Sequence, residues 1–214
     1  MRKGDLTHRN ILDHAVGLAS QIGLDGLSIG RLADDLELSK SGLFAHFKSM
    51  EALQVEVLRH AGEQFVSAVI RPALKAPRGE PRLRAVFERW LDWAKGRSLP
   101  GGCLFVAAAT ELDDRPGPVR DQLVSTQREW IAFISGALRI AVEEGHCRGD
   151  VDPAQFAYDT YGIMLAWNHA SRLLGDPAAD RHARAAFEAL LGSVRRIPPP
   201  RAGRPARARR KVTR

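Results

Sequence analysis

Residues 27–48 read "LSIGRLADDLELSKSGLFAHFK". Within this stretch Ile29, Leu32, Ala33 and Leu36 recur at helical spacing, and so do Leu43 and Phe47. Ser28 and Ser39 stand where each apolar series begins, the place of an N-cap. The spacing predicts two short helices joined by "LELS". Ala33 is small where the two must cross closely, and Leu38 is placed to plug the gap between them. Two short helices on so tight a turn make the helix-turn-helix pattern, whose second member lies in the major groove of DNA. With Leu43 and Phe47 turned inward, rotation at about 100° per residue points Ser41, Ala45 and Lys48 outward, with Gly42 and Phe44 on the flanks. That outward side is small or basic. Gly42 costs about 1 kcal/mol against alanine in a helix. Close approach to phosphates would explain it, because glycine lets DNA come near and exposes backbone N–H groups.

The helical period continues on both sides. Upstream, Ile11, Leu12, Ala15, Val16, Ala19 and Ile22 form one stripe, and Gly23 is placed to end it. Downstream, Ser49 caps a helix with Glu51 in its first turn, and Leu53, Val57, Ala61, Phe65 and Val69 run along one face to Pro72. After "APRGEP", a fifth helix is marked by Leu83, Val86, Phe87, Trp90 and Leu91. "CLFVAAATEL" is apolar nearly all round and predicts a buried sixth. A long seventh runs from about Val119 to Glu144, Asp152 caps an eighth with Pro153 at its first position, and a ninth reaches about Arg196. The expectation is an all-α chain of about nine helices: a helix-turn-helix domain over 1–48, a larger helical domain over 49–196, and a basic, disordered tail over 197–214.

Charge is concentrated in that tail. The formal net charge is +7, and Arg195 to Arg214 carries nine basic residues and no acid, so the rest stands at −2. Such a tail suits nucleic acid or another polyanion, and is also often merely solvated. Its "RAGRPARARRK" is similar to the core of an AT-hook, which lays arginine in the minor groove; a non-specific polycation is the plainer reading. No apolar run reaches membrane-spanning length and the N-terminus lacks a signal segment, so the protein is expected in the cytoplasm without a membrane partner. Cys103 and Cys147 show no metal spacing and are expected as unpaired thiols.

Leu27-Ser28-Ile29, Leu32-Ala33, Leu38 through Phe47 and Glu51-Ala52-Leu53 together resemble the DNA-binding domain of the TetR family of bacterial transcriptional regulators. The resemblance implies a homodimeric, ligand-responsive regulator, most often a repressor, bound to a near-palindromic double-stranded operator. It assigns Ser28 to a phosphate and Lys40, Ser41 and Ala45 to the groove, with Ser39, Gly42 and Lys48 as further DNA-contact candidates. Phe44 and His46 would pack along the backbone. Glu37 stands where the family often has glycine; a positive φ there would strain the turn by about 1 kcal/mol. Met50 stands where it often has lysine.

The larger helical part carries no catalytic constellation. His8, His14, His60, His146, His169 and His182 show no metal or triad spacing, and there is no phosphate-binding glycine loop. No enzyme activity, cofactor or metal is expected. The aromatics Trp90, Trp93, Phe105, Trp130, Phe133, Tyr161 and Trp167 are candidates for a ligand pocket between helices, with Thr110, Asn168 and His169 among its polar groups. Aromatics at helical spacing are also ordinary core. By the resemblance, the last two helices pair with their copies in a dimer, where Ala157, Gly162, Ala166, Ala170, Ala183, Ala186 and Ala189 permit close crossing. The alternative to a regulator is a helical small-molecule-binding protein with impaired operator recognition.

Overall fold

The computed structural model describes residues 3–96 and 99–196, with side chains from Thr7 onward. The basic tail expected over 197–214 lies outside the described residues. Ten α-helical segments follow one another: α1 (Lys3–Ile22), α2 (Ile29–Asp35), α3 (Lys40–His46), α4 (Met50–Phe65), α5 (Arg71–Ala73), α6 (Glu80–Ala94), α7 (Leu104–Leu112), α8 (Pro118–Glu143), α9 (Pro153–Asn168) and α10 (Ala179–Val194). A π-helical turn, Val66–Ile70, joins α4 to α5, so these form one rod and the described residues make nine rods. A second π turn, His169–Leu173, closes α9. The only extended pairing among the described residues is an isolated bridge between Cys147 and Arg195.

Local chemistry accounts for the boundaries. Gly23 ends α1 at φ +78, a conformation that costs glycine nothing. Ser28, Ser39, Ser49 and Asp152 accept from the backbone N–H of Arg31, Gly42, Ala52 and Ala154, capping α2, α3, α4 and α9 as their positions predict. The rod does not stop at Pro72. Proline lacks an N–H, and in a regular α-helix its ring crowds the carbonyl four residues back, here Ala68. The chain widens one turn earlier instead: the N–H of Arg71 donates to Val66 O, a π-type bond.

Buried apolar side chains form one continuous core from α1 to α10. α1 packs on α4 and α7, and α4 packs on α8. α9 lies between α8 and α10. Phe87 and Phe187 stack at 4.1 Å, tying α6 to α10. Cys103 and Cys147 are free and buried. α7 buries Leu104, Phe105, Ala108 and Leu112, but Thr110 is exposed, so this helix is not enclosed on every side.

Candidate functional site

The turn between α2 and α3 is built from backbone bonds. The N–H of Leu38 donates to Ala33 O at 2.8 Å, and that of Glu37 to Asp34 O at 3.3 Å. This is the Schellman closure of a helix, and it places Glu37 in the left-handed region at φ 54. The positive φ considered for Glu37 is present. Ala33 and Leu43 are buried and Leu38 is half-buried against the core. Phe47, 1% exposed, anchors the end of α3.

On the outer side Lys40, Ser41, Gly42, Phe44 and Ala45 are all exposed, Phe44 by 53%. Ser28 and Ser39 are exposed as well. Two expectations need correction. The Gly42 N–H is not free, because it donates to Ser39 Oγ at 3.0 Å. A Cβ on Gly42 would lie 3.0 Å from that same oxygen, so glycine also makes room for the cap. Lys48 is exposed as expected but stands beyond α3, because Phe47 already has extended geometry (φ −128, ψ 110) and Lys48 belongs to the link before Ser49. His46 is half-buried, with its ring 5.7 Å from that of His8.

Contacts invisible to sequence spacing hold this unit on α4. His8 stacks on Phe47 at 4.8 Å and meets Glu56 at 3.1 Å. His60 lies buried, 2.6 Å from Asp13, and Gln64 also donates to Asp13. His14 lies 3.2 Å from Asp35. These histidine–carboxylate pairs are long-range, which is why no local motif announced them. No group of three or more His, Cys, Asp or Glu among the described residues could hold a metal ion.

A second contact joins the C-terminus of α1 to the loop before α7. The Gly101 N–H donates to Ser20 Oγ at 3.0 Å, and a Cβ on Gly101 would overlap the Ser20 backbone. Gln54 donates to Leu24 O, and Asp25 N–H to Glu111. Arg115 and Asp25 pair across the same junction.

Between α4, α7 and α8 lies a cavity of about 640 Å³. Of the candidates, Trp90, Phe105, Trp130, Phe133 and Tyr161 line it. Trp93, Thr110, Trp167, Asn168 and His169 are not among its lining. Trp93 is core, edge-on to Phe65 at 5.7 Å. Thr110 donates to Ala107 O on the exposed side of α7. Trp167 donates to Asp180 at 2.8 Å and meets Trp90 edge-on, a clasp between α9 and α10. Asn168 and His169 stand at the end of α9, His169 exposed. Phe65, which meets Phe105 and Trp130 edge-on, lines the cavity although its spacing reads as core.

The cavity is mainly apolar inside, with the half-buried Gln122, Thr126 and Gln127 and the unpartnered Trp130 Nε1 among its polar groups, and is charged only at exposed positions. Tyr161 donates to Gln127 Oε1 at 2.7 Å, and Gln127 donates to Phe105 O, so this polar pair is satisfied within the protein. Burial pushes the Tyr161 phenol and the Cys103 thiol up, leaving both neutral at ordinary pH. Arg9, Arg59, Glu63, Arg71 and Glu129 are the charged residues of the lining, and all are exposed. From Arg59 to Arg71 the α4–α5 rod presents one stripe to the cavity, roughly 18 Å at 1.5 Å per residue. Its π turn supplies Val66, Ser67 and Ile70.

Comparison with known proteins agrees with this arrangement. Residues 11–57 match the model of bacterial regulatory proteins of the tetR family, and residues 79–187 that of the tetracyclin repressor-like C-terminal domain. The chain is 26% identical over 171 residues to the HTH-type transcriptional repressor NemR of Escherichia coli K12, covering 78% of this chain and 84% of NemR. A TetR transcriptional regulator from Chloroflexus aurantiacus superposes with a TM-score of 0.82 at 23% identity, over 92% of this chain and all of that one. AibR, solved with isovaleryl coenzyme A and operator DNA, superposes with a TM-score of 0.65 at 21% identity, over 87% of this chain and 97% of AibR.

Proposed function

This chain belongs to the TetR family of bacterial regulatory proteins, and from that premise we propose a homodimeric transcriptional repressor released from its operator by a small molecule. The observation that carries the reading is one continuous rod. At its N-terminal end α4 holds the helix-turn-helix through His8, Phe47 and Glu56. Further along, the same rod forms the wall of the aromatic cavity. NemR is a repressor, and AibR was solved with an acyl coenzyme A and operator DNA; both support the same division of labour here.

In this reading Lys40, Ser41 and Ala45 face the groove, with Ser28, Ser39, Gly42, Phe44, His46 and Lys48 along the phosphate backbone. Two copies of α3 about one DNA turn apart read a near-palindrome. The pairing surface is the outer side of α9 and α10. Tyr158, Leu165 and Leu173 are exposed there by 74%, 39% and 73%, beside exposed Gly162, Ala166, Ala186 and Ala189. Ala157 and Ala183 take no part, because they are buried within the protomer. A ligand that favours a half-site spacing other than the operator's weakens DNA binding by linkage, about 5–150-fold for a coupling of 1–3 kcal/mol.

Fluorescence anisotropy on DNA from upstream of the gene, with excess competitor DNA, tests the proposal. Specific binding that Lys40→Ala weakens supports it. Equal affinity for that DNA and for random DNA would favour the alternative, a helical binding protein with impaired operator recognition. Glu37, a strained acid beside the recognition helix, is the feature that favours that alternative.

A further inference from the structure

We propose that the effector is an elongated amphiphilic anion, its apolar body in the aromatic cavity and its head on Arg9 and Arg59. This rests on the cavity being the effector site and goes further by naming the effector's chemistry. A second cavity, of about 360 Å³, lies between α1 and α4 and is lined by His8, Arg9, Leu12, Glu56, Arg59, His60 and Glu63. It shares Arg9, Arg59 and Glu63 with the aromatic cavity. The two spaces therefore meet at a pair of arginines, one on α1 and one on α4.

Charge decides the sign of the head. Glu63, the one acid that lines both cavities, lies 4.0 Å from His60, and Glu56, which lines the second cavity alone, meets His8 at 3.1 Å. The side chains of Arg9 and Arg59 make no hydrogen bond or ion pair among the described residues. Two unpaired guanidiniums at the junction favour a carboxylate or phosphate, which they can bind in a fork. The interior favours an uncharged chain or ring, because Phe65, Phe105 and Trp130 supply apolar surface and Tyr161 is already satisfied. An anion held by both arginines ties α1, which belongs to the DNA-binding unit, to α4. Ligand energy then enters the contact that sets the angle of the recognition helix.

Calorimetry on the intact protein with three probes of equal chain length tests this: decanoate, decanol and decyltrimethylammonium, each below its aggregation concentration. Decanoate is expected to bind about tenfold tighter than decanol, one charge-assisted contact's worth. Arg9→Ala/Arg59→Ala should reduce decanoate to the affinity of decanol and leave decanol unchanged; both arginines are exposed, so the fold is expected to persist. Equal binding of decanoate and decanol, or tighter binding of the cation, overturns the anionic head and leaves the cavity reading standing. A carboxylate preference that survives in the double variant places the head elsewhere and also overturns the proposal. Binding of none of the three overturns both readings.

Discussion

Replacing Glu37 with glycine should stabilise the protein. Glu37 sits at φ 54 because the closure of α2 requires a left-handed residue there. For an L-residue this geometry costs about 1–2 kcal/mol, and for glycine almost nothing. Glycine also loosens the unfolded chain, which returns about 0.4–1 kcal/mol. The net gain is about 0.5–1 kcal/mol, or roughly 1–4 °C in melting temperature for a chain of this size. The carboxylate adds a second effect, because it lies at the negative end of the α2 dipole, and removing it helps by about 0.3–1 kcal/mol. Glu37→Gln isolates that effect, since glutamine keeps the Cβ and loses the charge. The assay is chemical denaturation of wild type, E37G and E37Q at one fixed protein concentration, so that mass action in a dimer does not shift the comparison. E37G should be the most stable of the three, above E37Q by the conformational share. If E37G is no more stable than E37Q, the left-handed strain is not real and the reasoning fails.

Other expectations follow from the same geometry. Gly101→Ala drives a Cβ into the Ser20 backbone, where overpacking costs about 1–3 kcal/mol; a lower melting temperature and a blunted release of DNA by effector are expected, and a wild-type melting temperature would contradict the contact. Phe87→Ala removes a buried partner stacked on Phe187 at 4.1 Å and should cost about 3–5 kcal/mol in urea denaturation. The Phe87→Ala/Phe187→Ala double variant should lose less than the two single losses together, by about 0.5–1.5 kcal/mol; strict additivity would deny the pairing. Glu80 is held below the usual carboxylate range by hydrogen bonds from Arg195 and then Arg84, and Asp180 by Lys95 and then Trp167. A lowered carboxyl contributes stability above its unfolded value and loses it as pH falls through its folded value. The denaturation midpoint should therefore drop as pH falls below about 4. Glu80→Gln/Asp180→Asn should make that decline shallower, by no more than about 1 kcal/mol for each partly exposed pair. An unchanged pH profile would remove both pairs from the account.

Most of the helix order and the helix-turn-helix unit were legible because they rest on local rules. Ser28, Ser39, Ser49 and Asp152 cap where their positions say, since a cap is settled within three residues. Periodicity also separated buried Leu43 and Phe47 from exposed Ser41 and Ala45. It put Lys48 outward as well, and Lys48 is exposed, but it missed the end of α3 at His46, which nothing in the apolar pattern marks. Its account of Gly42 was incomplete, since the glycine N–H that suited a phosphate is already given to Ser39.

Periodicity reports that a side chain faces inward, not what it meets there. Trp90 and Trp130 face a cavity, whereas Trp93 and Trp167 face other side chains, and all four read alike along the chain. The pairing of His60 with Asp13 spans 47 residues, and the meeting of Arg9 with Arg59 spans 50, beyond any local signal. The sequence by itself determined the helices, their caps and the exposed face of α3, because these follow from backbone hydrogen bonding and side-chain spacing within a few turns. Only the tertiary structure decided which aromatics surround empty space and which arginines stand at its edge, because a cavity is a failure of distant helices to fill the volume between them.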